Sequence, residues 1–314
     1  MITIGIDLGG TGIKVGAVSP EGGILSKAAG PTLPERGPEA VIKDMVSLTR
    51  KAVKEAGTTL EAVTSIGIGV PGIEDPARGI VPFLTNLGWH EIPMRSIFQS
   101  MIDKPIFVTN DAVAAALAES VAGVSKGTKS SVMVTLGTGL GGGVIIDGKP
   151  FLGAHGVASE IGHMAIKFDG EMCTCGKRGC FERYASASAL IREGKRLAAA
   201  HPESLVYKSV QGEMENITAK TVIDAAKAGD DEAMKLFDKY VFWLCTGLVN
   251  LINTYDPEML VLGGGVSAAG TFLLDPVRER LPELVFYKTM PYARIELATL
   301  GNDAGIIGAG MLRA

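Results

Sequence analysis

One pattern occurs twice in this chain and limits what it can fold into: a strand-like run ends in a glycine-threonine turn and returns as a second run. It is written first as TIGIDLGGTGIKVGAV, residues 3–18, and again as VMVTLGTGLGGGVII, residues 132–146. β-Branched residues on either side of a glycine turn predict a hairpin. The two stretches share LG..TG when one gap is allowed, which points to a duplicated half. Helical and strand patterns alternate after each hairpin. In the first half, residues 38–57 have helical apolar spacing, SIGIGVPG and PIFVTND predict buried strands, and AVAAALAESVAG predicts a helix. In the second half, residues 185–200 and 218–252 are expected to be helical, PEMLVLGGGVS a strand meeting a glycine turn, and NDAGIIGAGMLR a closing helix. Residues 201–220 are polar and suit a surface excursion, whereas 236–255 is apolar nearly all round and belongs in a core or a subunit interface. Two α/β units of related build are the expected architecture.

With 314 residues and 46% hydrophobic content, a sizeable core is within reach. The net charge of -4 leaves no basic surplus for a phosphate backbone, so nucleic acid is excluded as a partner. MITIGIDLGG begins a strand at once, without a secretory signal, and no stretch has the roughly 18 uninterrupted apolar residues of a membrane helix. A cytoplasmic protein with no membrane partner is expected. Four cysteines in such a chain are not a disulfide framework.

GTGLGG, residues 137–142, satisfies the spacing of a dinucleotide fingerprint, but it leads into a strand where that motif must open a helix. No Lys-Ser or Lys-Thr follows either glycine turn, so neither is a Walker loop. Glycine turns can still hold phosphate, because backbone without side chains lets N–H groups approach the oxygens and threonine adds a hydroxyl. Gly9, Gly10 and Thr11, and Gly137 to Gly143, could do this together from two halves, or could simply make tight turns. Asp7 could orient Mg2+ through water or cap the turn, and Lys14 could face phosphate or solvent.

Thr109-Asn110-Asp111 stands where a strand gives way to an alanine-rich helix. Asn and Asp cap helices in that setting. The same place is where α/β sheets bind ligands, and a helix N-terminus stabilises negative charge. Phosphoryl transfer asks for one carboxylate to accept the proton of the attacking hydroxyl, and Asp111 fits that base.

Three cysteines crowd into CTCGKRGCFE, residues 173–182, and His163 of EIGH precedes them, giving H-x9-C-x-C-x4-C. His163, Cys173, Cys175 and Cys180 suit tetrahedral Zn2+ with no vacant position, hence a structural site. Glu160 and Glu182 flank it, where anchored carboxylates can accept hydrogen bonds from several sugar hydroxyls. The remaining Cys245 lies in an apolar helix and is expected to be a small buried hydrophobe.

These motifs resemble the ROK family of repressors, open reading frames and sugar kinases over essentially the whole chain, most closely its bacterial glucokinase branch. DLGGTGIKVG looks like the first phosphate motif, TLGTGLGGGV the second and VLGGGVS the adenosine motif, while EIGH with CTCGKRGCFE looks like the zinc and sugar signature. The resemblance implies an actin-like ATPase (ribonuclease H-like) α/β fold, two related domains around a central cleft with the last helix crossing back. The expected domains are 1–115 plus 302–314, and 116–301 with the zinc loop. It implies ATP-dependent phosphorylation of a hexose 6-hydroxyl, most closely that of glucose, with Asp111 as base. Gly72, Asn86, Asn110, Glu160, His163 and Glu182 would contact sugar, His163 using one ring nitrogen for zinc and the other for a hydroxyl. Asp7, Gly9, Gly10, Thr11, Lys14, Thr138 and Gly139 would serve the phosphates and Mg2+, with Gly264 and Gly265 near the adenosine. A homo-oligomer, dimer or tetramer, is implied as well. N-acetylmannosamine, N-acetylglucosamine, fructose and allose kinases share the motifs. Sugar-responsive repressors of the family carry an added N-terminal helix-turn-helix, for which no room is expected before the first phosphate strand, and a non-catalytic sugar-binding module is disfavoured by Asp111 and both glycine turns.

Overall fold

The computed structural model of the protein describes residues 2–75, 78–84 and 87–312. Strands β1 (Ile2–Leu8), β2 (Gly12–Val18) and β3 (Ile24–Pro31) run as an antiparallel meander, with helix α1 (Pro38–Glu55) after it. Then come β4 (Val63–Val70), three short strands β5 (Ile73–Asp75), β6 (Ile80–Leu84) and β7 (Trp89–Ile92), helix α2 (Met94–Gln99), β8 (Ile106–Asn110) and α3 (Asp111–Ala122). The second hairpin is β9 (Ser130–Leu136) and β10 (Leu140–Ile146), followed by β11 (Lys149–Pro150). A helical region follows: α4 (Glu182–Ala185), α5 (Ala187–Ala200), α6 (Leu205–Ser209), α7 (Ala219–Lys227) and α8 (Asp231–Tyr255). The chain closes with β12 (Met259–Gly263), α9 (Thr271–Leu284), β13 (Arg294–Leu297) and α10 (Ala304–Gly310).

Two five-stranded sheets have the orders β3-β2-β1-β4-β8 and β11-β10-β9-β12-β13. Numbered within its own sheet, each reads third, second, first, fourth, fifth. The duplication suggested by the paired glycine turns is therefore a duplication of sheet topology. The small sheet β5-β6-β7 is antiparallel and has no counterpart in the sequence reading. The chain divides into two compact units, residues 1–133, 143–159 and 299–314 in one, and 134–142 with 160–298 in the other.

In the first unit, β1 pairs with β4 and β4 with β8 in parallel, so these strands are covered on both faces and read as continuous apolar runs. Ile4, Ile6, Leu8, Ile66, Ile68 and Val70 are buried there. Each such side chain contributes about 1.5–3 kcal/mol over exposure. Helix α1 starts with Pro38 at its first position and buries Val41, Ile42, Met45, Val46, Ala52 and Val53 along one stripe, as its periodicity predicted. Helix α10 packs more closely than side chains would allow. A Cβ on Gly67 would strike the Ala309 carbonyl, and one on Gly308 the Ala114 carbonyl. The small residues of AGIIGAG thus set the helix directly onto the sheet and onto α3. Glu119 of α3, fully buried, fastens the same region: its carboxylate accepts from Val124 N (2.8 Å), Thr299 N (2.8 Å), Thr299 Oγ1 (3.0 Å) and Leu300 N (2.9 Å).

In the second unit, the helical region expected over 218–252 is two helices rather than one. Gly229 takes φ +85°, which ends α7, and the Asp230 carboxylate then accepts from Ala233 N at 2.8 Å to cap α8. Helix α8 buries Phe237, Tyr240, Val241, Leu244, Cys245, Leu248, Leu251 and Ile252. Burial pushes the Cys245 thiol up to about 12, and it serves as a small buried hydrophobe.

Candidate active site

Strand β8 stops at Asn110 because that side chain captures the free N–H groups of α3. Asn110 Oδ1 accepts from Ala112 N (2.9 Å) and Val113 N (3.3 Å), while its Nδ2 donates to the Gly72 carbonyl at 3.1 Å. The residue therefore both caps the helix and joins it to the turn after β4, which packs so tightly that a Cβ on Gly72 would meet the Phe83 carbonyl. Asp111 follows, exposed at the first position of α3, with Oδ1 accepting from Ala112 N at 2.8 Å. Gly72, Asn110 and Asp111 thus come together at the end of β8. Asn86 lies outside the described residues.

At the first glycine turn, Gly9 N donates to Gly12 O at 2.9 Å, leaving Thr11 exposed at the tip beside the half-buried Gly10. Asp7 and Lys14 are directly opposed across the hairpin, and Lys14 Nζ lies 3.3 Å from Asp7 Oδ2. Lys14 therefore faces a carboxylate, not solvent alone. Two further participants lay outside the sequence reading. Thr32 on the segment after β3 donates its hydroxyl to Gly9 O at 2.7 Å, and a Cβ on Gly305 of α10 would be 2.8 Å from Asp7 Cγ, so that bare position makes room for the carboxylate.

In the second unit, Gly137 N donates to Gly139 O at 3.1 Å and Thr138 and Gly139 are exposed at the tip. Helix α5 is bonded to this tip through Ala187 N to Gly137 O, 2.8 Å. Gly264, after β12, lies against Leu136, where a Cβ would come within 2.7 Å of backbone, and Gly265 beside it is exposed. The loop entering the cysteine cluster sits on the same hairpin, with Gly162 facing the Leu140 carbonyl too closely for any Cβ. Glu182, at the start of α4, completes the group: a Cβ on Gly139 would stand 3.0 Å from its Oε2.

His163 and the three loop cysteines converge. Their ligand atoms all lie within 4.8 Å of one another, with Cys173 Sγ 3.7 Å from His163 Nδ1 and Cys175 Sγ 3.5 Å from Cys180 Sγ. Three sulfurs and a ring nitrogen at these separations are a donor set that fits a tetrahedral metal ion. Burial pushes the Cys173 thiol up to about 12, so a cation must displace its proton for it to become a ligand. Cys173 Sγ lies 3.0 Å from Glu182 Oε1. The loop is pinned by pairing of Ala165 with Cys180 and of Met172 with Arg178, and by Phe181 N donating to Met164 O at 2.8 Å. Glu160 is exposed one turn before His163, its carbonyl accepting from His163 N at 3.1 Å.

Two sheets of one topology, each opening on a glycine-tipped hairpin, define the actin-like ATPase fold. The chain belongs to the ROK family, whose profile matches residues 3–314. It is 38% identical over 313 residues to a glucokinase of Thermotoga maritima, spanning 98% of this chain and 96% of that protein. It is 34% identical over 313 residues to a xylose repressor of Caldicellulosiruptor bescii, spanning 97% of this chain and 76% of that protein. A ROK family glucokinase of Streptomyces griseus, solved with glucose and AMPPNP, superposes with TM-score 0.82 at 37% identity, covering 99% of this chain and 98% of that one. Among the described residues, no helix is long and apolar enough to cross a membrane.

Proposed function

We propose that this protein is an ATP-dependent hexose 6-phosphotransferase acting on glucose. The carrying observation is Asp111, exposed at the first position of α3 and flanked by the Asn110 cap, in a chain that matches glucokinases nearly end to end. Asp111 accepts the proton of the sugar 6-hydroxyl as that oxygen forms its bond to the γ-phosphorus, and the bond to the bridging oxygen breaks with its electron pair leaving on ADP. Gly72, Asn86 and Asn110, and Glu160, His163 and Glu182, are the sugar contacts in this reading. Asn110 can offer the sugar little beyond what its cap and its bond to Gly72 leave, so its role is chiefly to fix Asp111 and the Gly72 turn.

Gly9, Gly10, Thr11, Thr138 and Gly139 supply N–H and hydroxyl donors to the phosphates, with Gly264 and Gly265 near the adenosine. Asp7 keeps one oxygen off Lys14 and within reach of water, which suits Mg2+, an ion that keeps most of its waters. Bound there, it would neutralise phosphate charge. Zn2+ held by His163, Cys173, Cys175 and Cys180 would fix the loop, and loss of the Cys173 proton would remove the donor that now faces Glu182, leaving that carboxylate for sugar hydroxyls. His163 Nδ1 is the nitrogen on the cysteine side, which leaves Nε2 for a hydroxyl.

In this reading the protein works in the cytoplasm, where ATP is, and the family resemblance implies a homodimer or tetramer. An ADP-release assay across glucose, mannose, fructose, allose, N-acetylglucosamine and N-acetylmannosamine tests it, with glucose expected to give the highest kcat/KM. The likeness to a xylose repressor supports a second reading, a sugar-responsive regulator. Sugar binding without ADP release on any member of the panel would favour it.

A further inference from the structure

Strand β5 carries a carboxylic acid where its alternation places a core residue. Ile73 is exposed, but Glu74 points inward and is 3% exposed, and the side chain it meets is Thr109, 1% exposed, the residue before Asn110-Asp111. The Thr109 hydroxyl lies in reach to donate to the Glu74 carboxyl, yet neither Thr109 Oγ1 nor Glu74 Oε2 completes a well-aligned hydrogen bond among the described residues. A buried acid in that condition costs free energy, so its placement needs a reason. Glu74 and Gly72 are two residues apart on one strand and its lead-in turn, and Thr109 and Asn110 are adjacent on β8. Asn110 Nδ2 already donates to Gly72 O at 3.1 Å. Two side-chain contacts therefore strap the small sheet to the strand end that presents Asp111.

We propose that Glu74 is a positioning residue: its buried side chain, held against Thr109, fixes the β5 turn and the end of β8 so that Gly72 and Asn110 keep the geometry that receives sugar. The inference rests on the sugar-contact roles assigned above. Among the described residues the one charged group facing Glu74 is Arg95 of α2, and burial outweighs its attraction, pushing the Glu74 carboxyl up to about 8. Asp75 on the same strand and Glu91 on β7 are engaged by Arg78, at 3.7 and 3.9 Å, and β6 has no titratable residue. Above about pH 8 the carboxyl ionises; the Thr109 hydroxyl favours the charged form, but the cost of burying the charge outweighs it and is relieved by opening of the slot.

The test is steady-state kinetics from pH 6 to 9 on the wild type, Glu74→Gln and Glu74→Ala, with ATP saturating and glucose varied. Gln keeps the shape of the neutral acid and cannot ionise. The wild-type KM for glucose is expected to rise about fivefold relative to Glu74→Gln between pH 7 and 9, as the slot opens to solvate the charge, with the kcat ratio unchanged. Glu74→Ala should have a raised KM at every pH, restored by Gln. A wild-type KM that tracks Glu74→Gln across the range overturns the inference. Amide hydrogen exchange over residues 72–75 and 106–113 decides it independently of catalysis. Faster exchange in wild type than in Glu74→Gln at pH 9, after correction for intrinsic rates, supports the strap, and equal exchange overturns it. Absence of any sugar phosphorylation would instead remove the functional reading and leave the exchange result standing.

Discussion

Glu182 joins the cysteine loop to the second glycine turn: its Oε1 stands 3.0 Å from Cys173 Sγ, and its Oε2 is 3.0 Å from where a Cβ on Gly139 would be. One carboxylate thus touches both the cluster suited to a metal and the hairpin suited to phosphate. Whatever fixes the loop fixes Glu182.

That dependence makes the metal testable. The wild-type protein should contain one zinc per chain, and Cys175→Ser should lose it. Metal affinity and sugar recognition should fall together, with KM for sugar rising about 10- to 100-fold, the range seen when support for a metal site is removed, and kcat changing less. Elemental analysis alongside kinetics checks this. Zinc-free wild-type protein with full activity would remove the metal from the account.

The Glu119 network gives a prediction about stability alone. Glu119→Ala strands four donors, those of Val124, Thr299 (two) and Leu300, in a buried place. It should lower unfolding free energy by about 3–5 kcal/mol in a denaturant titration. Because the residues tied are 124 and 299–300, detachment of the C-terminal segment should appear first, as early protease cleavage before α10. Unchanged stability would mean that the network contributes nothing net.

Glu74 also sets a pH dependence of stability. Its folded carboxyl is raised from 4.5 to about 8, so the folded chain holds a proton that the unfolded chain releases above about pH 4.5. This contribution is complete below pH 4.5, declines as pH rises, and is gone above about 8. Glu74→Gln lacks this contribution. The melting temperature of wild type should therefore fall relative to Glu74→Gln as pH rises from 5 to 8, by an amount on the order of a few kcal/mol in stability. Parallel melting curves across that range would contradict the weakened acidity of the folded carboxyl.

Local signals explain which parts of the fold were legible. The two hairpins, β4, β8 and the α3 cap announce themselves within a few residues, through glycine turns, β-branched runs and Asn110-Asp111. Cysteine spacing alone brought His163 and three thiols into one cluster. The small sheet gave no such signal, since its strands are three to five residues long, one contains Pro82 and another a buried acid. Helix α9 was hidden by Pro276 and Pro282 within it. The Asp7–Lys14 pair was available to counting, because residues 7 and 14 fall opposite one another once the hairpin register is set at the turn. The partnership of Glu74 with Thr109, 35 positions apart, exists only after β5 has folded against β8 and could not be counted out.

The proposed reaction turns on Asp111 taking the proton from a sugar hydroxyl during phosphoryl transfer from ATP. The most direct measurement is ADP release by Asp111→Asn with glucose, paired with calorimetric glucose binding to the same protein. Turnover should fall by at least about 100-fold, with glucose affinity within a few fold of wild type. Near-normal turnover in Asp111→Asn would contradict it.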